Sequence, residues 1–88
     1  MKIQQLENKN QFVIDNESEV FFQSYNSLIA RYDRKKQTLQ LSEDWNYSNT
    51  TRKHLYLFIR NYTKYDYKSK KEIEQAILNK EIFVNLIP

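Results

Sequence analysis

The chain has no glycine and no cysteine, and only one proline, one tryptophan and one histidine in 88 residues. Each absence removes a class of function. Without cysteine there is no disulfide framework, no thiolate metal centre and no thiol redox chemistry, a composition that suits a reducing cytoplasm. Without glycine, Walker-type and dinucleotide-binding loops are excluded, because both use it for positive φ and close backbone approach to phosphate. An average chain carries about 7% glycine. The turns are therefore expected to lean on Asn and Asp, which tolerate the left-handed region better than most side chains. No apolar run approaches the roughly 20 residues of a membrane span. The segment Met1-Lys2-Ile3-Gln4-Gln5-Leu6-Glu7 lacks the apolar core of a signal peptide.

What is present suffices for one small domain over residues 1–88. A hydrophobic fraction of 40% and an aromatic fraction of 15% can furnish a single core, although a chain of this size buries only about two thirds of its unfolded surface. The net charge of +3 is modest but unevenly laid out. Asp15, Glu17 and Glu19 stand between Gln11 and Ala30 with no Lys or Arg among them. From Arg52 to Lys71 seven basic residues face Asp66 alone, so the carboxy half is electropositive.

Two apolar rhythms divide the chain. Gln11-Phe12-Val13-Ile14 and Glu19 to Tyr25 read as a hairpin around Asp15-Asn16-Glu17-Ser18, with Val20, Phe22 and Ser24 on one face of the second strand. Asn26-Ser27 breaks the pattern. Leu28, Ala30 and Tyr32 then share one face, opposite Ile29 and Arg31, and Leu39 and Leu41 alternate inward after a polar turn at Asp33 to Lys36. Residues 1–9 are a weak strand or a frayed end. From about Thr50 the spacing becomes helical: Leu55, Phe58, Ile59 and Tyr62 form an apolar stripe, with Ser48, Asn49 and Thr50 competing as the amino cap. Ser69-Lys70-Lys71-Glu72 is a capping box opening a second helix that ends near Lys80, and Glu81 to Ile87 is a last strand stopped by Pro88. The expected fold is α+β: an antiparallel meander of about four strands with one dry and one wet face, two helices packed on one face, and a carboxy-terminal strand joining the sheet. Trp45 and Tyr47 are expected to plug the seam between sheet and helices.

Candidate chemistry is sparse. His54, the only histidine, has neither a second histidine nor a cysteine for a zinc site and reads as a packing or surface residue. Asp15, Glu17 and Glu19 lack the glycine and closing glutamate of a calcium loop, and Glu43-Asp44 reads as a turn pair rather than a catalytic dyad. No metal, cofactor or catalytic residue is assigned. The basic half carries the functional signal. Arg52, Lys53, Arg60, Lys64, Lys68, Lys70 and Lys71, with Tyr65 and Tyr67 among them, combine backbone-neutralising charge with rings that could stack on bases, as single-stranded nucleic acid requires. Thr51 crowds the helix amino end, where free amides favour an anion, and is a candidate anion contact.

Two runs carry a resemblance: Phe21-Phe22-Gln23-Ser24-Tyr25-Asn26-Ser27-Leu28-Ile29-Ala30, and Trp45-Asn46-Tyr47-Ser48-Asn49-Thr50-Thr51-Arg52-Lys53-His54-Leu55-Tyr56-Leu57-Phe58. They resemble a family of small uncharacterised proteins carried by bacteriophages and other mobile elements, over roughly residues 12 to 87. The resemblance implies a cytoplasmic setting and an accessory role, with no catalytic residues to carry over. By analogy with anti-CRISPR proteins, the expected function is non-catalytic binding to a host protein or ribonucleoprotein complex. The alternative is direct binding of single-stranded RNA or DNA through the basic, Tyr-rich half. Neither needs a membrane or a small-molecule cofactor.

Overall fold

The computed structural model describes residues 2–5, 10–85 and 87. Among these, six strands form one sheet in the order β1-β2-β3-β4-β5-β6: β1 (Lys2–Gln5), β2 (Gln11–Asn16), β3 (Glu19–Ser24), β4 (Ser27–Asp33), β5 (Thr38–Leu41) and β6 (Phe83–Val84). The first five make an antiparallel meander, and β6 runs parallel to β5. A 3₁₀ turn at Glu43–Asn46, helix α1 (Asn49–Tyr62) and helix α2 (Lys70–Leu78) fill the connection between β5 and β6. The α+β architecture expected from the two rhythms is the one observed. The meander extends to five strands because Lys2–Gln5 pairs with β2, Ile3 opposite Ile14. The rest of the amino-terminal segment, Leu6 to Lys9, lies outside the described residues, as do Leu86 and Pro88 of the expected last strand. That last strand is short, only Phe83–Val84, and α2 stops at Leu78 rather than near Lys80.

One face of the sheet takes the helices. Val13, Val20, Phe22, Leu39 and Leu41 are buried against Leu55, Phe58 and Ile59 of α1, with Ile73 and Ala76 of α2 and Ile82 in the same core. The Phe22 and Phe58 rings stack at 5.7 Å between centroids, and Phe58 stacks on Tyr62 at 5.5 Å. Each such side chain taken from water contributes about 1.5–3 kcal/mol, which offsets chain entropy in a domain this small. The other sheet face was expected to be wet. Along its middle it is mixed instead: a register row runs Ile3, Ile14, Phe21, Arg31, Gln40, Phe83 across all six strands, with Ile3 and Phe83 exposed.

Three other expectations are corrected. The register of β3 against β4 shifts between Phe22 and Gln23, so Ala30 pairs with Phe22 but Leu28 with Gln23. This bulge at Ile29 puts it in the core beside Ala30 (1% and 0% exposed) instead of opposite it. The break expected at Asn26-Ser27 is a tight turn one residue earlier, at Tyr25-Asn26, and Ser27 already belongs to β4. Among the described residues, those with positive φ are Glu17 (57°), Tyr25 (55°), Gln37 (54°) and Lys80 (62°), none of them Asn or Asp. The two-residue connections at Glu17-Ser18 and Tyr25-Asn26 need that backbone wherever the hydrophobic register puts them, and the side chain present must accept it. Lys80 ends α2 in a Schellman arrangement, with Lys80 N donating to Ile77 O at 3.1 Å and Glu81 N to Ala76 O at 2.9 Å.

Candidate functional site

Helix α1 begins at a fixed cap. Ser48 wins over Asn49 and Thr50: its hydroxyl accepts from Thr51 N at 3.1 Å while its own backbone is extended. Trp45, on the 3₁₀ turn just before, is buried at 7% exposure, but Tyr47 stands out at 75% and plugs nothing. Tyr47 follows that turn as its carboxy cap, its N–H donating to Asp44 O at 3.0 Å.

The apolar stripe of α1 points its remaining faces to solvent. Arg52 is half-buried and bonds the side-chain oxygens of Asn46 (2.6 Å) and Asn49. Lys53 and Arg60 are exposed, two turns apart on one side of the helix. Between them lie half-buried Tyr56 and exposed Leu57, and the connector after α1 brings Asp66, Tyr67 and exposed Lys68 alongside. Together these seven residues line an open groove of about 260 Å³. Of the nine residues expected from sequence to make outward contact, Lys53, Arg60, Tyr67 and Lys68 meet in it. Leu57, an apolar residue off the helix's core stripe, was missed, although that misplacement is readable from the periodicity.

The tyrosines of the connector face inward more than expected. Tyr65 and Tyr67 stack at 5.8 Å, and Lys64 Nζ sits 5.3 Å over the Tyr65 ring. Tyr65 OH donates to Glu81 O at 3.2 Å, and Tyr67 OH to Glu81 Oε1 at 3.4 Å. Tyr67 is buried, and its phenol is pushed up to about 12, chiefly by desolvation and then by the Glu81 carboxylate. Burial likewise raises Tyr65. Lys70 and Lys71 are exposed in the first turn of α2, where the helix dipole disfavours cations. Glu72 offsets them there, whereas the first turn of α1 has no acid.

The remaining candidates settle into structure. Thr51 is fully buried, its hydroxyl held between Ser24 Oγ (2.9 Å) and Ser48 Oγ (3.1 Å). His54 is buried with Nδ1 2.9 Å from the Thr50 carbonyl. The acidic hairpin is answered by β4 and the turn after it: Arg34 takes Asp15 at 2.8 Å, and Arg31 pairs with Glu19. Asp33 is held below the usual carboxylate range, first by the Lys36 amide and also by that of Lys35. Among the described residues no group of three or more His, Asp or Glu side chains is placed to hold a metal ion, and no helix is long and apolar enough to cross a membrane.

A second and larger concavity, about 630 Å³, opens where the β3–β4 turn meets the start of α1. Ser24 to Ser27 line one side, Asp44, Tyr47, Ser48, Thr50 and Thr51 the other, with Ile29 as an apolar contribution. Both of the chain's distinctive runs contribute residues to this cleft. Residues 1–75 match a single family model. The chain belongs to DUF8033, a family of unknown function. The match spans the meander, both distinctive runs and most of α2, so membership covers both concavities. No curated protein and no solved structure matches the chain.

Proposed function

We propose that this DUF8033 member is a non-catalytic binding module of a bacteriophage or other mobile element. It acts in the host cytoplasm as an anti-defence inhibitor of the anti-CRISPR kind, docking a host protein or ribonucleoprotein complex through the groove of Lys53, Arg60 and Lys68. The groove itself carries the reading. Three exposed cations surround an exposed leucine and a half-buried tyrosine, an apolar contact ringed by charge as at a protein interface. Cations near the amino end of α1, which has no acid in its first turn, work against the helix dipole, a local cost that a complementary acidic partner offsets.

Direct binding of single-stranded nucleic acid is the second reading, favoured by the same basic charge. It is the weaker one, because Tyr65 and Tyr67 spend their hydroxyls on Glu81, Tyr67 is buried, and Asp66 interrupts the groove. Co-purification from host cells with and without nuclease separates the two. The first expects a stoichiometric host complex that survives nuclease. Recovery of nucleic acid alone, with affinity falling steeply in salt, would transfer the function to the second.

A further inference from the structure

The larger cleft at the amino end of α1 has its own chemistry, independent of the groove reading. Asp44 is the only charged side chain lining it. Among the described residues the Asp44 carboxylate has no hydrogen-bond or ion-pair partner, while its backbone N–H is held by Ser42 Oγ at 3.3 Å. Arg52, at the start of α1, is engaged with Asn46 and Asn49 instead. The lips of the cleft carry two exposed tyrosines, Tyr25 at 46% and Tyr47 at 75%.

Tyr25 is the informative one. It occupies a left-handed turn position (φ 55°) where Gly, Asn or Asp would sit with less strain. The two-residue β3–β4 turn requires that backbone, and it leaves the Tyr25 ring in solvent on the lip of the cleft. Its backbone is pinned on both sides: Tyr25 N donates to Asn10 O at 2.7 Å, and Gln23 Nε2 donates to Tyr25 O at 2.9 Å.

The remaining polar groups on the walls are Asn26 and the hydroxyls of Ser24, Ser27, Ser48, Thr50 and Thr51. An anion here would have the α1 amino end in its favour. That end is already partly satisfied by the Ser48 cap, and the anion would face Asp44 with no cationic side chain to hold it. A planar cation fits better: guanidinium donates in a fork to one carboxylate and lies flat against aromatic rings. We infer that the Tyr25–Tyr47 cleft is a binding site for an arginine side chain presented by a partner protein, with Asp44 as its counter-ion.

The test is an NMR titration of the full ¹⁵N-labelled chain with N-acetyl-L-argininamide, which carries the side chain between neutral peptide-like ends. Saturable shifts at Tyr25, Asp44 and Tyr47 are expected, at least about tenfold weaker with the uncharged isostere N-acetyl-L-citrullinamide, a difference typical of a charge-assisted pair. Asp44→Asn should abolish the preference for the charged probe. Tyr25→Gly relieves the backbone, keeps a dispersed native spectrum and should still weaken binding, which separates a contact role from a folding role. Equal affinity for both probes, unchanged binding in Tyr25→Gly, or tighter binding of inorganic phosphate would overturn the proposal. Tighter binding of free L-arginine, with its charged ends, would overturn the assignment to a protein partner.

Discussion

The Ser24 hydroxyl, at the end of β3, lies 2.9 Å from the Thr51 hydroxyl in the first turn of α1. Both side chains are buried, at 3% and 0% exposure, and Ser48 Oγ completes the group at 3.1 Å from Thr51. A chain of three hydroxyls thus fastens the start of the helix to the edge of the β3–β4 turn. It also fixes the back of the larger cleft. Thr51→Val keeps the shape and removes the central hydroxyl, stranding Ser24 in a buried setting, so it should cost about 1–3 kcal/mol. Ser24→Ala leaves Thr51 its Ser48 partner and should cost less, about 1 kcal/mol. Urea midpoints of the two variants check the order. A larger loss for Ser24→Ala would mean that Ser48 does not share Thr51.

Lys80 sits at φ 62° just past α2, exposed, in the position where helices most often place glycine. Lys80→Gly should stabilise the domain by about 1 kcal/mol, because a side chain in the left-handed region costs roughly that much. In a domain of this size each kcal/mol moves the melting midpoint by about 4–8 °C. Thermal unfolding followed by circular dichroism gives the answer, with Lys80→Val, a β-branched residue at the same φ, expected to shift the other way.

Gln11, opposite Ser24 in the sheet register, is fully buried, and neither the Nε2 nor the Oε1 of its amide has a hydrogen-bond partner among the described residues. Burying such a group unpaired costs about 1–3 kcal/mol. Gln11→Met keeps the length and removes the polarity, so the chemical-denaturation midpoint should rise. A fall would show that the amide is paired in solution.

Tyr67 gives the alkaline limit. Its folded-state value of about 12 lies above the ordinary 10.0, so the folded chain holds this proton more tightly than the unfolded one. The stability this adds is complete below pH about 10 and is lost as pH rises toward about 12. Tyr67→Phe should flatten that part of the stability profile while leaving the acid side unchanged. An identical alkaline slope in the variant would place the titration on another group.

Local signals in the sequence carried most of the fold. The cap at Ser69, the stripe of Leu55, Phe58, Ile59 and Tyr62, and the alternation of β3 depend on neighbours within a turn or two, and each appears as read, while Ser48 is the one used of three candidate caps for α1. What depended on distant partners was hidden. The bulge that buries Ile29 follows from pairing with β3, and the exposure of Tyr47 from how the 3₁₀ turn closes over Trp45. The residues forced to positive φ follow from where the sheet register places each turn, not from their own preference. The same holds for the sites. The cations of the groove were readable because they cluster in sequence, whereas the cleft was not, because Tyr25 and Tyr47 approach only once Ser24 meets Thr51 across 27 positions.

The groove is the centre of the functional proposal, and charge reversal within it is the most direct test. The wild-type chain, a Lys53→Glu/Arg60→Glu variant and a Lys35→Glu/Lys36→Glu variant are titrated against the host complex that co-purifies with the wild type. The last pair makes the same charge change at the exposed β4–β5 turn, whose lysines do not line the groove. Groove docking predicts a loss of at least about tenfold, or about 1.4 kcal/mol, for Lys53→Glu/Arg60→Glu and little change for the turn variant. Equal losses in both, which would reduce the effect to net charge, or no loss in either, would contradict it.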